Sequence, residues 1–292
     1  MKDIAVVEPD PRRRASFRIR GIARYQSDAP ALRRFRPEAV LVCTPTRLHL
    51  PVALRALRAG ANVFVEKPLS HTSGGTNAFA AEAARSGRTV MVACNYLFHD
   101  GVRKLMAVLR ARRYGRPLSY AVTLGYHVPS ARGEQGRAAY GARGGVGEDV
   151  LLDSGSHCIA YLRVLFGPLV ETVAYASTLH PLGLQSGELS VAALRHTNGV
   201  LGVLSLDYVH RKAVHAVDVV TEKGRLMLDV RRNTLRFEDA HSRRKLYQGT
   251  RDLNHMFIKE LAHFFACIRS GKKPLQDATE GSETVRLLRA KK

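Results

Sequence analysis

Two short stretches of the chain carry side chains suited to proton transfer. Lys67 lies in the turn Glu66-Lys67-Pro68, directly after the apolar run Asn62 to Val65. Asp153 and His157 are four residues apart, so they share one face if their segment is helical. A lysine can stabilise negative charge on a reacting hydroxyl, and a histidine can exchange a proton near neutral pH. A surface turn and a zinc site are the alternatives, although the zinc site lacks a third ligand at helical spacing.

The residues around Lys67 alternate between predicted strands and predicted helices. The strands are Ile4 to Glu8, Ala39 to Cys43, Asn62 to Val65 and Thr89 to Cys94, and helices lie in Pro11 to Arg20, Tyr25 to Phe35, Leu50 to Ala59 and Thr76 to Ser86. Connections this short imply a parallel sheet with helices on both faces. Lys67 then lies at the carboxyl end of a strand, where open α/β sheets bind their ligands.

The pattern changes after Asn95, where strands follow one another through turn signals. The predicted helices are Gly101 to Arg112, Asp149 to Phe166 and Asn254 to Ser270, and the predicted strands are Leu118 to Val128, Val170 to His180, Glu188 to His196, Val200 to Val209, Val214 to Thr221, Arg225 to Val230 and Thr234 to Phe237. Such a meander makes an antiparallel sheet with helices on one face. We therefore expect an α/β domain over residues 1–95, followed by an α+β domain with a large open antiparallel sheet over residues 96–292.

The stretch from Ala39 to Leu69 strongly resembles the glucose-fructose oxidoreductase/inositol dehydrogenase/MocA (Gfo/Idh/MocA) family of NAD(P)-dependent dehydrogenases, in which an E-K-P turn carries a catalytic lysine. The segment Thr44 to His49 matches the family's T-P-x-x-x-H stretch, and Asn95 matches the end of its last Rossmann strand. Asp153 to His157 matches its D-x-x-x-H helix. The resemblance runs from Ile4 to about Arg289 and implies a Rossmann-like first domain.

The resemblance also implies a reaction, which is hydride transfer between NAD or NADP and a hydroxyl-bearing carbon of a sugar, cyclitol or sugar derivative. The implied catalytic residues are Lys67, Asp153 and His157, the implied cofactor residues are Glu8, Thr44, Pro45, His49, Glu66, Lys67 and Asn95, and the implied substrate residues are Tyr140 and Arg143. Glu8 ends a strand where an acid accepts hydrogen bonds from the adenosine ribose, whereas Arg12 and Arg13 could accept a 2′-phosphate, so both cofactors stay open. In such relatives the open face of the sheet forms a dimer or tetramer interface.

Some features depart from the family pattern. The glycine-rich loop G-x-G-x-x-G precedes the acid-ended strand in a Rossmann fold, but here that strand already begins at Ile4. The first strand and its phosphate cradle are therefore predicted to be missing, unless the sequence begins downstream of the true start. The strands at Ile4 and Ala39 could pair directly and close the gap. The main alternative function is a non-catalytic relative that binds a sugar or a protein partner.

Composition restricts the remaining function classes. The net charge of +21 suits polyanions, but the arginines are scattered and accompany no nucleic-acid-binding motif, so we expect solvated basic faces instead. The apolar runs are shorter than a membrane helix needs, and the N-terminal residues do not resemble a signal peptide, which predicts the cytoplasm. The four cysteines form no C-x-x-C pair and are predicted to be free.

Overall fold

The first part of the chain alternates strands and helices as predicted. The computed structural model describes residues 3–128, 130, 149–178, 182 and 187–289. Up to residue 98 its elements are β1 (Ala5–Val7), α1 (Pro11–Ser16), β2 (Ala23–Tyr25), α2 (Asp28–Arg34), β3 (Ala39–Val42), α3 (His49–Arg58), β4 (Asn62–Val65), α4 (Thr76–Ser86) and β5 (Val90–Val92), with 3-10 turns at Thr46–Leu48 and Asn95–Phe98. These elements confirm the predicted α/β class.

Strands β3, β4 and β5 form a parallel sheet in that order, with β4 in the centre. Every residue of β4 and β5 is buried, which is expected of strands covered on both faces. The side chains of α3 and α4 pack against this sheet around Val63, Val65 and Phe79. The sheet therefore fixes the direction in which the chain leaves β4 and enters the E-K-P turn.

Strands β1 and β2 form a separate parallel pair. The suggestion that the strands at Ile4 and Ala39 pair directly was wrong, because β1 pairs with β2 and β3 pairs with β4. Strand β2 was not predicted, since three residues give too little pattern to read. Strands β1 and β3 each keep an exposed apolar side chain, Val7 at 40% and Leu41 at 45% exposure.

The second part of the chain is built on one large sheet. Its elements are α5 (Asp100–Arg110), β6 (Pro117–Gly125), α6 (Val150–Phe166), β7 (Leu169–Ser177), β8 (Leu189–His196), β9 (Leu201–Asp207), β10 (Val214–Thr221), β11 (Gly224–Asp229), β12 (Thr234–Glu238), β13 (Arg243–Gln248), α7 (Asn254–Ser270) and α8 (Ala278–Arg289). The strand order is β13-β12-β11-β10-β6-β9-β8-β7. The neighbours β6 and β9 run parallel, and all other neighbouring strands of this sheet run antiparallel. The sheet was predicted to be antiparallel, and it is mixed at this one junction. Strand β13 was missed because its charged sequence is that of an edge strand.

The last helix joins the two parts. Backbone N–H of Val92 in β5 donates to the Gln276 carbonyl at 2.8 Å, and Met91 forms a bridge with Asp277. Gly281 of α8 lies directly on Val92, where a side chain would clash. Helix α8 also packs against α6, which is buried over most of its length. The division of the chain at residue 95 remains a prediction. In the described ranges, no helix is long and apolar enough to cross a membrane.

Candidate active site

The E-K-P turn begins where β4 stops pairing with β3. The Glu66 N–H donates to the Val42 carbonyl at 2.9 Å, and the Lys67-Pro68 peptide bond that follows is cis. His49 is 2% exposed, and its ring nitrogens lie 2.7 Å from the carbonyl oxygens of Thr44 and Pro68. The histidine therefore holds the turn after β3 against the turn after β4, and both of its nitrogens face protein atoms.

Asp153 and His157 lie on α6, in the first two turns of the helix. Asp149 is the N-cap, since its Oδ1 accepts the Leu152 N–H at 2.7 Å, and Arg289 of α8 donates to its Oδ2 at 2.8 Å. This cap starts the helix at Val150, so Asp153 is not the capping residue and its carboxylate is available for other partners. The four-residue spacing of Asp153 and His157 then puts both on one face.

Lys67 and Asp153 form an ion pair between the two parts of the chain. The Lys67 ammonium donates to Asp153 Oδ1, and to the Asp153 carbonyl at 3.1 Å. Their side chains are only 17% and 13% exposed. Burial alone raises the pKa of Asp153, but the charge and hydrogen bond of Lys67 outweigh it and lower that pKa overall. Asp153 is therefore a carboxylate near neutral pH.

Two tyrosines complete the surroundings of the Asp153 carboxylate. The hydroxyl of Tyr208 donates to Asp153 Oδ2 at 3.0 Å, and that of Tyr126 does so at 3.4 Å. Tyr126 follows β6 and Tyr208 follows β9, so the parallel pairing of these strands brings the rings to 5.5 Å. No role for either tyrosine was predicted from the sequence. The only indication in the sequence is that one tyrosine directly follows β6 and the other directly follows β9.

His157 lies beside a set of buried rings. Tyr96 packs edge-to-face with two histidine rings, with centroid distances of 5.2 Å to His157 and 4.6 Å to His215. Burial raises the pKa of Tyr96 to about 12 and lowers that of His215 to about 3. Both rings are uncharged near neutral pH. Tyr96 thus packs against the His157 ring, and His215 packs against Tyr96.

The predicted cofactor residues lie at the ends of several strands. Glu8 follows β1, and its Oε1 accepts the Asp10 N–H at 2.9 Å. Thr44 and the exposed Pro45 follow β3, and Asn95 follows β5. Thr44 Oγ1 and Asn95 Oδ1 are buried and have no hydrogen-bond partner among the described residues. Because such atoms are costly unless a ligand pairs with them, they fit the ribose and nicotinamide of a dinucleotide.

The structure brings together some of the predicted residues and leaves others apart. Lys67, Asp153 and His157 converge with Asn95 and its neighbour Tyr96, and Glu66 lies in the same turn. Thr44 is linked to this group through His49, whereas Glu8 lies at the end of the separate β1–β2 pair. The predicted substrate residues Tyr140 and Arg143 lie outside the described residues.

A parallel α/β layer and a large mixed sheet, joined by a largely buried lysine–aspartate pair, agree with the two-part dehydrogenase that the sequence resemblance implies. The chain belongs to the Gfo/Idh/MocA oxidoreductase family: residues 2–94 match its NAD-binding Rossmann fold, and residues 102–227 match its C-terminal domain. The predicted family and its NAD-binding Rossmann domain are thereby confirmed.

Individual relatives are similar over much of the chain. Myo-inositol 2-dehydrogenase of Thermotoga maritima is 27% identical over 257 residues, which cover 84% of this chain and 73% of the relative. The uncharacterised oxidoreductase YrbE of Bacillus subtilis is 25% identical over 205 residues, covering 68% of this chain but only 57% of its own length. A solved levoglucosan dehydrogenase, in complex with NADH and levoglucosan, has a TM-score of 0.87 at 19% identity, with 98% of this chain and 85% of that chain covered. At that identity the solved structure shows the fold.

Proposed function

We propose that the chain is a dehydrogenase that moves a hydride between NAD(P) and a hydroxyl-bearing carbon of a sugar or cyclitol. The observation that carries this proposal is the buried pair of Lys67 and Asp153, one helical turn from His157. Two of the three relatives named above are an inositol dehydrogenase and a levoglucosan dehydrogenase, which supports a polyol or sugar substrate. They give no support to the alternative of a non-catalytic binding protein.

The three polar side chains divide the proton chemistry among them. Lys67 stabilises the developing negative charge on the substrate oxygen, because its ammonium is fixed at the mouth of the E-K-P turn by Asp153. His157 takes the hydroxyl proton during oxidation and returns it during reduction. Asp153 orients the ring hydroxyls as an acceptor, and its two tyrosine donors hold the carboxylate in place.

The cofactor is held by residues at the strand ends. Glu8 would accept hydrogen bonds from the adenosine ribose, and the buried oxygens of Thr44 and Asn95 would pair with the ribose and nicotinamide parts. A nicotinamide held by these residues would supply the hydride chemistry of the reaction. Pro45 and Glu66 shape the neighbouring turns, and His49 acts by fixing these turns instead of contacting the ligand. Arg12 and Arg13 leave NADP as the second candidate cofactor.

The two parts of the chain have separate roles in this proposal. Residues 1–95 bind the dinucleotide, and residues 96–292 bind the substrate and form an oligomer. The predicted substrate residues Tyr140 and Arg143 belong to the second part. The cytoplasm remains the predicted location.

Oligomer formation is proposed through the outer face of the large sheet. Tyr175, Val191, Leu201, Val203 and Val220 lie on that face, and Tyr175 is 77% exposed. The register pairs Val191 with Tyr175 and puts Leu201 and Val220 on either side of Ser119, so these side chains form one apolar surface. Light scattering should find a dimer or tetramer, and Val203→Asp should dissociate it. A monomeric wild-type chain would contradict this part of the proposal.

Titration of the purified chain with NADH and NADPH, followed by nicotinamide fluorescence, tests the proposed function. Saturable binding of one of them is expected, followed by reduction of NAD or NADP in a screen that includes myo-inositol and levoglucosan. Glu8→Ala should weaken NADH binding more than NADPH binding, because the ribose acceptor is lost. A folded chain that binds neither cofactor would contradict the dehydrogenase assignment.

A further inference from the structure

Glu260 is an acidic residue buried behind the candidate active site. It lies on α7, whose inward stripe otherwise consists of Met256, Phe264 and Cys267, and it is only 3% exposed. A carboxylate in such a position normally has a basic partner. No ion pair joins Glu260 to any residue in the described ranges. Its burial therefore favours the uncharged carboxylic acid.

In the described structure, the one hydrogen bond of the Glu260 side chain reaches the end of β5. Its Oε1 accepts the backbone N–H of Cys94, two residues beyond the last residue of the strand. The preceding residue, Ala93, still donates to the Val65 carbonyl at 2.8 Å. Glu260 thus accepts the first backbone N–H beyond the pairing of β5 with β4, and Asn95 is the next residue. The carboxyl group holds the point at which the chain leaves the sheet and enters the cofactor site.

The same carboxyl group lies close to the E-K-P turn. Burial raises the pKa of the Cys94 thiol, the charges of Glu260 and Glu66 add to this rise, and the charge of Lys67 opposes it. Burial raises the pKa of Glu260 to about 8, and the nearby Glu66 adds to this effect, while the Cys94 N–H opposes it. An ionised Glu260 would put a second negative charge beside Glu66.

We propose that Glu260 is a positioning residue, which as a neutral carboxylic acid holds the end of β5 that carries Asn95. This inference rests on the proposed function only for its effect on cofactor affinity. Protonated Glu260 fixes the Cys94–Asn95 backbone without adding charge to the turn. Loss of its proton adds a second negative charge to that of Glu66 and would change the field at a cofactor bound beside the end of β5.

Three variants separate positioning from charge. Glu260→Gln keeps an acceptor for Cys94 and cannot ionise, and Glu260→Ala removes the acceptor. Glu82→Gln is the control, at a partly exposed carboxylate paired with Arg85. Hydrogen exchange of the segment 91–98 should be faster in Glu260→Ala than in Glu260→Gln and the control. Unchanged exchange in a folded Glu260→Ala protein would overturn the proposal, and if that variant does not fold, Glu260→Gln decides it through its pH dependence.

The pH dependence gives two readouts. Because the folded pKa of Glu260 is raised above its usual value of 4.5, its contribution to stability is lost as the pH rises towards about 8. The melting temperature of Glu260→Gln relative to wild type should therefore rise between pH 5 and pH 8.5, roughly over this interval. Wild-type NADH affinity should weaken above about pH 8 and that of Glu260→Gln should not, while Glu260→Ala weakens it about tenfold at every pH.

The outcomes distinguish the two proposals. Parallel melting curves of wild type and Glu260→Gln across this pH range would show that Glu260 is ionised throughout and would overturn the neutral-acid assignment. Equal pH profiles of NADH affinity would reduce Glu260 to a packing role and overturn positioning for the cofactor. If the wild-type chain binds no NADH, the proposed function fails, and hydrogen exchange with the melting series still decides the role of Glu260 at the end of β5.

Discussion

The two ends of the candidate site are built differently. At the Lys67 end, the carboxylate of Asp153 accepts hydrogen bonds from Lys67, Tyr126 and Tyr208. At the cofactor end, the buried oxygens of Thr44 and Asn95 have no hydrogen-bond partner among the described residues. The first end is held by the protein itself, and the second is arranged to be completed by a ligand. Polar groups that pair within the chain set geometry, whereas buried groups without such partners gain them on binding.

The difference between the Lys67 end and the cofactor end follows from which of them lies between the two parts of the chain. The Lys67–Asp153 pair joins residues 86 positions apart and lies between the parallel sheet and α6. It therefore requires both parts to be folded and docked. Thr44 and Asn95 lie within the first part, just after β3 and β5, and Glu260 of the second part contacts only the backbone before Asn95. Substitutions at the Lys67 end should thus affect stability and activity together, and those at the cofactor end should affect binding alone.

The largest effect is expected for Lys67→Ala. The variant loses the group that stabilises charge on the substrate oxygen, so turnover should fall by about 100-fold or more. It also leaves the Asp153 carboxylate buried without its cation. Steady-state kinetics and circular dichroism measure the two effects, with Lys104→Ala, an exposed lysine of α5, as the matched control. Turnover equal to that of the control would remove Lys67 from the mechanism.

Asp153→Asn should show the same coupling through its pH dependence. Removing one partner of this buried pair should cost about 3 kcal/mol of the free energy of unfolding at neutral pH. The folded pKa of Asp153 is lowered from 3.8, so its contribution is present above that pH and is lost as the pH falls below it. The difference in melting temperature between wild type and Asp153→Asn should therefore shrink below about pH 4. Exposed Asp252→Asn is the control, and a difference independent of pH would contradict the ion pair.

Much of the Lys67 end could be predicted from the sequence, because its signals are local. The buried run of β4 followed by Glu66-Lys67-Pro68 and the spacing of Asp153 and His157 each lie within a few residues. Tyr126 and Tyr208 could not be predicted in the same way. They meet only because β6 and β9 are parallel neighbours, and a meander of strands in the sequence implies antiparallel neighbours instead.

Prediction of the fold from the sequence has the same limit, because contacts between distant elements could not be predicted. Helix α6 and the strands β8 to β10 were predicted within a few residues, since their apolar periodicity is strong. The separation of β1 and β2 from β3 was not predicted, because the composition of short strands does not indicate which strands they pair with. The burial of Glu260 depends on which face of α7 meets the end of β5. The information for that contact is spread over both elements.

A smaller effect is expected for the tyrosines that hold Asp153. Tyr208→Phe removes a donor at 3.0 Å to a charged acceptor and should cost about 1.5 kcal/mol of stability. Tyr126→Phe removes a longer contact of 3.4 Å and should cost less. Chemical denaturation of both variants at neutral pH shows which one loses more free energy of unfolding. If Tyr126→Phe were the more destabilising, the carboxylate would be held mainly from β6, and the comparison of the two donors would have to be reversed.

The smallest change in stability is expected at the cofactor end, with Thr44→Val. The hydroxyl oxygen of Thr44 is buried without a hydrogen-bond partner in the described structure, so replacing it with a methyl group should change the free energy of unfolding by less than about 0.5 kcal/mol. NADH affinity should nevertheless fall severalfold, because the ligand loses its partner. Thermal unfolding without cofactor and a fluorescence titration measure the two quantities on the same protein. Ser70→Ala, at a buried hydroxyl beyond the E-K-P turn, is the control. A Thr44→Val protein that is destabilised yet binds NADH normally would mean that the hydroxyl serves the fold, and the two ends of the site would then not differ in kind.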